Sequence, residues 1–259
     1  MRSKLALKIA YDGTHFHGYA RQPTVPTVEK SIIDVLLNKN IISDVKKAEI
    51  RCGSRTDKQV SALTNVMTFY TNKSAEDVLF SLSDEFDSIF PYGITEVDDN
   101  FNPRHAISRS YHYLLPKNRF SPSKLRNSLS LFKGEHDFSN FARVESHRNP
   151  VRTIDSIVVS EREDCIIVEI TAQTFLWNQI RRIIEASIKY CKGKISLDQI
   201  QQALTHPDKT VDFNLAPATP LILTNIEYPE LSFFEPEELK QRQNIVESMV
   251  KQHLTNLVF

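Results

Sequence analysis

The stretch "RCGSRTDKQVSAL", residues 51–63, sets one carboxylate, Asp57, among Arg51, Arg55 and Lys58, and uses there one of only 6 glycines in the chain. Nearby positive charge favours the ionised form, so Asp57 is expected to hold a low pKa. Such a group suits a nucleophile better than a general acid. Apolar runs that read as strands flank the stretch and put Asp57 at a strand end. Ser, Asp and Gly between strands also make ordinary turns, because their side chains bond their own backbone. Position alone leaves both readings open.

Other chemistry is sparsely represented. His15 and His17 bracket Phe16 with a spacing that suits a metal on a strand edge, but no acidic or thiol partner is evident beside them. Neither a metal nor an organic cofactor is indicated, and no glycine-rich phosphate loop is present. Cys52, Cys165 and Cys191 are odd in number and far apart, which fits reduced thiols of a cytoplasmic protein. The first eleven residues carry Arg2, Lys4 and Lys8, too close together for the apolar core of a secretory signal. No apolar stretch approaches the roughly 20 residues of a membrane helix.

The formal net charge is zero, yet it is unevenly spread. Residues 101–152 hold ten Lys and Arg against three acids, whereas residues 74–99 hold eight acids and no Lys or Arg. This describes either two solvated faces of opposite sign or a track for an anionic polymer.

These residues need elements to position them. "LALKIAY" alternates at Leu5, Leu7, Ile9 and Tyr11, the period of a strand. Thr27 caps a helix with Ile32, Ile33, Leu36 and Leu37 on its apolar face. "AEIRC" and "NVMTFYT" read as strands around the Asp57 stretch, "SAED" as a capping box, and "YGITEVDD" as a strand. The second half repeats the order. "SYHYLLP" is a strand, Ser121 and Pro122 start a helix, "IDSIVVSE" and "CIIVEITA" form a hairpin, and "TFLWNQIRRIIEASIKYCKGK" is a helix ended by Gly193. "SLDQ" caps another helix, and "PLILTNIEY" closes the unit. Each half is roughly strand, helix, strand, strand, helix, strand, the ferredoxin-like order also found in RNA-recognition modules. The expected fold is therefore α/β, two ferredoxin-like halves with antiparallel sheets and a cleft between them, at 1–102 and 103–230. A helical tail over 231–259 places Leu239, Val246, Val250 and Leu254 to face its own domain or a second subunit.

"GSRTDKQVSAL" resembles the Gly-Arg-Thr-Asp-x-Gly-Val-x-Ala signature of the TruA family of tRNA pseudouridine synthases. "IAYDGTHFHGYARQP", "TVEKSIIDVLL", "FNPRHAISRSYHYLL", "GEHDFSNFAR", "FLWNQIRRII" and "LAPATPLIL" resemble further blocks of that family, in its order, across roughly residues 4–228. The resemblance implies that Asp57 is the essential aspartate acting on a flipped-out uridine in the anticodon stem-loop, at tRNA positions 38–40. It implies that Tyr111 stacks on the base and serves in later proton transfer, that Arg181 pairs with Asp57, and that Arg55 fills the space of the extruded base or grips a phosphate. For each, an ordinary role exists: a half-buried strand tyrosine beside Tyr113, a surface helix arginine like Arg182, a loop cation.

Extruding a base costs a few kcal/mol and one aromatic stack returns about 1 to 3 kcal/mol, so phosphate contacts must add to it. Arg104, Arg109, Arg143, Arg148 and Arg152 are the candidates. The resemblance further implies tRNA as partner, no membrane, no cofactor, and a homodimer. The chain departs from the pattern at Lys58-Gln59, where Ala-Gly is usual, at Ser61, where a histidine is frequent, and at Tyr19-Ala20, where Trp-Gln is common. A non-catalytic RNA-binding or chaperone protein on the same scaffold is the rival reading. A metal-dependent hydrolase using His15, His17 and Asp57 is a third.

Overall fold

The computed structural model describes residues 2–254. The described residues group into two compact units, 2–107 with 222–252, and 108–221 with 253–254.

In the first unit, the alternating residues of β1 (Ser3–Tyr11) are wholly buried at Leu5, Leu7, Ile9 and Tyr11. The Thr27 side chain accepts from the Lys30 amide and starts α1 (Val28–Asn38), which buries Val28, Ile32, Ile33 and Leu36. Then come α2 (Val45–Ala48), β2 (Arg51–Cys52), β3 (Ser61–Thr71), α3 (Ala75–Leu82) and β4 (Ile89–Val97). Ser74 caps α3 by accepting from the Asp77 amide. β1 pairs antiparallel with β3 and β4, and β2 with β3, giving the order β4, β1, β3, β2 of a ferredoxin-like sheet. The strand expected over "AEIRC" is shorter than its composition suggests. Ala48 closes α2 and Glu49 turns the chain at φ 49°, which leaves only Arg51 and Cys52 to pair.

The second unit runs through β5 (Ser108–Pro116), α4 (Pro122–Leu129), β6 (Gly134–Asp137), β7 (Val151–Ile154), β8 (Ser156–Glu161), β9 (Cys165–Ala172), α5 (Gln179–Cys191) and α6 (Leu197–Thr205). β9 lies between β5 and β8 and is antiparallel to both, which repeats the order β1, β3, β2 of the first unit. β6 and β7 form a separate two-stranded ladder that the pattern of apolar residues does not announce. Gly193, at φ 68°, stops α5, and its amide donates to Tyr190 O at 2.9 Å. Ser196 and Gln199 make the capping box of α6.

β10 (Leu221–Glu227) returns to the first unit, where Ile222 and Leu223 run parallel to Ser61 and Ala62. The tail that follows, with α7 (Glu237–Lys240) and α8 (Gln243–Leu254), packs on this same unit as far as Gln252. Phe234 bridges Ile94 of β4, Glu235 meets Lys8 at 2.6 Å, and Gln243 donates to Leu63 O at 2.9 Å. Lys8 alternates with Leu7 and Ile9, so the tail meets the opposite face of β1 from those two. Val246 and Val250 are fully buried. Gly93 permits the approach, since a Cβ there would come within 2.9 Å of Glu235 Cγ. The last expected tail positions, the Leu254 side chain and residues 255–259, lie outside the described residues. Among the described residues no helix is long and apolar enough to cross a membrane.

Candidate active site

The loop that carries Asp57 is fixed from three sides within the first unit. β1 ends at Tyr11, and Gly13 then passes so close to the loop's exit that a Cβ would lie 2.1 Å from Val60 O. Glycine is required there by space alone. The Gly13 amide donates to Ser61 Oγ at 2.9 Å. Thr56 is gripped twice: its hydroxyl lies 2.9 Å from the Tyr11 hydroxyl, and its carbonyl accepts from the Tyr19 amide at 3.0 Å. Asn65 of β3 holds Ser54 from below, donating to Ser54 O at 2.9 Å and accepting from Ser54 N at 3.1 Å.

Val60 N donates to Asp57 O at 3.2 Å and closes the turn, with Gln59 left-handed at φ 67°. The usual glycine of this motif thus has a conformational counterpart here, adopted by a residue that disfavours it. Tyr19 is fully buried, 6.1 Å from the Tyr11 ring, and burial pushes its hydroxyl well above the usual range. The aromatic at this position therefore serves as a buttress under the loop. Asp57 itself is half-buried between these anchors.

Arg55 is exposed and Cys52 is buried beside it. Burial pushes the Cys52 thiol up to about 11, with Glu29 adding to the effect and Arg55 opposing it. A thiol so protonated is a poor nucleophile at neutral pH.

In the second unit, Tyr111 of β5 is 7% exposed and meets Phe175 edge-on at 5.3 Å. Tyr113, two residues on, is fully buried and donates to Pro217 O at 3.0 Å. Arg181 of α5 donates from Nε to Ala216 O at 2.8 Å, and its carbonyl accepts from the Ala216 amide at 3.2 Å. Arg181 and Tyr113 thus hold consecutive carbonyls of the "LAPATPL" segment. Arg182 turns instead to Asp212 at 2.7 Å.

The cations proposed from sequence divide by environment. Arg104 is exposed beyond a turn closed by Asn102, whose side chain accepts from the Arg104 amide at 3.2 Å. Arg109 is only 7% exposed and donates to the Gln173 carbonyl, so it is built into the end of the sheet. Arg143 is exposed with its guanidinium 4.2 Å over the Trp177 ring. Arg148 is exposed and pairs with Glu145 at 2.8 Å. Arg152 is half-buried, donating to Asn149 O at 3.0 Å.

Asp57, Arg55 and Arg104 therefore lie in the first unit, and Tyr111, Arg181, Arg109, Arg143 and Arg148 in the second. Asn65 lies outside the motif blocks, whereas Tyr11, Phe175 and Trp177 lie within them at positions given no role there. His15 has an acidic neighbour after all, Asp12 at 3.5 Å, but no three His, Cys, Asp or Glu converge on a point among the described residues.

A family model described as tRNA pseudouridine synthase matches residues 129–229. Relatives named tRNA pseudouridine synthase A span almost the whole chain. That of Thermococcus gammatolerans is 40% identical over 234 residues, covering 89% of this chain and 86% of the relative. That of Thermococcus sibiricus is 42% identical with the same coverage. That of Pyrococcus abyssi is 37% identical over 255 residues, covering 97% of this chain and 95% of the relative. Likeness of this depth and extent means that the chain belongs to the tRNA pseudouridine synthase A (TruA) family, isomerases acting on uridine in tRNA.

Proposed function

We propose that this enzyme converts uridine to pseudouridine in the anticodon stem-loop of cytoplasmic tRNA, as a homodimer, with Asp57 as the essential carboxylate acting on a flipped-out nucleoside. The observation that carries the reading is the immobilised loop. Thr56 is bonded through both its hydroxyl and its carbonyl, immediately before a half-buried carboxylate. A reacting group held in one geometry converts binding into rate, because the entropy of alignment is lost before the reaction begins.

The reaction breaks the N1–C1′ bond of uridine, forms C5–C1′, and moves one proton from C5 to N1 by way of the medium. Electrons balance within the nucleoside, so no outside oxidant or reductant takes part. Tyr111 supplies a ring for the everted base, and its edge contact with Phe175 keeps that ring from rotating away. Arg181, whose Nε is committed to Ala216 O, is the guanidinium assigned by this reading as the partner of that carboxylate. Arg55, Arg104 and Arg148 contact phosphates, while Arg109 supports the site by tying down Gln173.

Carbodiimide mapping of tRNA tests this. The wild type is expected to mark uridines of the anticodon stem-loop, and Asp57→Asn to leave them unmodified while still binding the RNA. Equal modification by both proteins would remove Asp57 from the mechanism. Modification by neither, with binding intact, would instead identify an RNA-binding protein that has lost catalysis.

A further inference from the structure

The chain contains one tryptophan, Trp177, and it is 48% exposed. An indole left in water at a conspicuous place asks for an explanation, because large aromatic side chains are valuable to a core. Its surroundings are rigid. The Arg143 amide donates to Trp177 O at 2.8 Å in an isolated antiparallel bridge. On one side of it Leu176 is buried, and the Leu176 amide donates to the side chain of the fully buried Gln179 at 2.8 Å. On the other, Asn178 is left-handed at φ 63° and opens α5 without a side-chain cap. The chain accepts an unfavourable backbone angle here, and the indole is held outward by a tight turn.

Arg143 lies over one face of the ring at 4.2 Å and makes no ion pair among the described residues. Its charge is thus left uncancelled beside a flat apolar surface. The same short segment carries Phe175, which meets Tyr111, and Arg181, four residues beyond Trp177. A planar cation, an exposed ring and the two proposed site residues are therefore tied to one nine-residue stretch, 173–181.

A planar heteroaromatic base stacks on an indole or guanidinium plane, and a phosphate attached to that base is attracted by the cation. We propose that Trp177 and Arg143 form a second base-stacking platform, which receives an unpaired nucleotide of the tRNA other than the uridine being isomerised. Arg143 thereby acts as a stacking partner as well as a charge. The platform rests on the reading of this protein as a tRNA-binding enzyme.

The sole tryptophan makes a direct test possible without mutation. On titration of the full-length protein with tRNA, indole emission is expected to be quenched, and its accessibility to iodide to fall, at the concentration where filter binding reports complex formation. Trp177→Ala is expected to weaken tRNA binding by about 5- to 150-fold, the range of one base–aromatic stack. Trp177→Tyr should restore most of that loss, and Arg143→Ala should lower affinity and raise the iodide accessibility of the free protein. Circular dichroism checks that each variant is folded. Tight filter binding with unaltered emission and accessibility, or undiminished affinity in Trp177→Ala, overturns the platform and leaves the proposed function standing. An Asp57→Asn protein that quenches normally yet still forms pseudouridine overturns the role of Asp57 and leaves the platform standing. Absence of tRNA binding by the wild type at low salt removes both.

Discussion

At the scale of single residues, the Asp57 loop shows how a departure from a family pattern can be absorbed. Gln59 stands where glycine is usual, yet it keeps a left-handed angle, φ 67°, because the bond from its own amide to Phe16 O and the Val60–Asp57 bond fix the turn around it. A non-glycine residue there carries about 1 to 2 kcal/mol of strain. Gln59→Gly relieves that strain and returns part of it as added freedom of the unfolded chain. The expected net gain is about 0.5 to 1 kcal/mol in urea denaturation. A loss of stability would mean that the glutamine is not strained. Thr56→Val should act the other way: it removes one partner of the buried Tyr11 hydroxyl and leaves it the weaker bond from Asn65 Nδ2 at 3.4 Å, at a cost of about 0.5 to 1.5 kcal/mol. It should also lower pseudouridine formation more than it lowers tRNA binding, since it loosens the loop and leaves the exposed cations alone.

Elements were legible in the sequence wherever their periodicity was long. β1, α1, α3, the body of α5 and the capping box of α6 follow from local alternation, a helical apolar face or a hydroxyl cap, whereas "SAED" forms only the Ser74 cap and "TFLWN" stays outside α5, which starts at Gln179. β2 shrank to two residues because Glu49 breaks the chain's direction, and nothing in "AEIRC" announces a left-handed residue. β6 and β7 are four residues each, too short for any period to register. Asp57, the proposed carboxylate, stands out in the sequence by its charged surroundings and the motif. The Tyr11–Thr56 bond does not, because it joins residues 45 apart whose partnership depends on the sheet being formed.

The tail shows the same limit, since Glu235 finds Lys8 across 227 residues. Burial of Glu235 by itself would raise its carboxyl, but Lys8 and Lys240 outweigh that and hold it below the usual carboxylate range. A depressed folded pKa contributes stability above the unfolded value, about 4.3, which is lost as pH falls through the folded value. Glu235→Gln is therefore expected to destabilise the protein by about 1 to 3 kcal/mol at neutral pH. The gap between variant and wild type should close in acid below the ordinary carboxylate range. A gap that persists unchanged in acid would place the effect in packing instead of charge.

At the scale of the whole molecule, zero net charge conceals a basic segment whose exposed members, Arg104, Arg143 and Arg148, join Arg55 as the surface cations proposed to meet a polyanion. If about four of them displace counterions from RNA, affinity for tRNA should fall by roughly fifty-fold between about 50 and 200 mM salt. A flat dependence, measured by filter binding, would discard the basic track. Removing Arg148 alone should flatten the slope by about one contact and leave the pattern of modified uridines unchanged.

The first unit is discontinuous, built from Met1–Ile107 and completed only by Ile222–Gln252. The bulk of the second, Ser108–Leu221, is a continuous stretch. On a ribosome, where domains ordinarily mature from the amino terminus onward, this chain must reverse the sequence. Its leading half waits for its own final segment, with one side of its sheet bare, while the middle of the polypeptide can already close upon itself. A nascent protein cut short soon after Leu221 would then carry all of Ser108–Leu221 with a first unit still lacking β10 and its tail, and an apolar surface would distinguish it from the full-length product for the cell's degradation machinery.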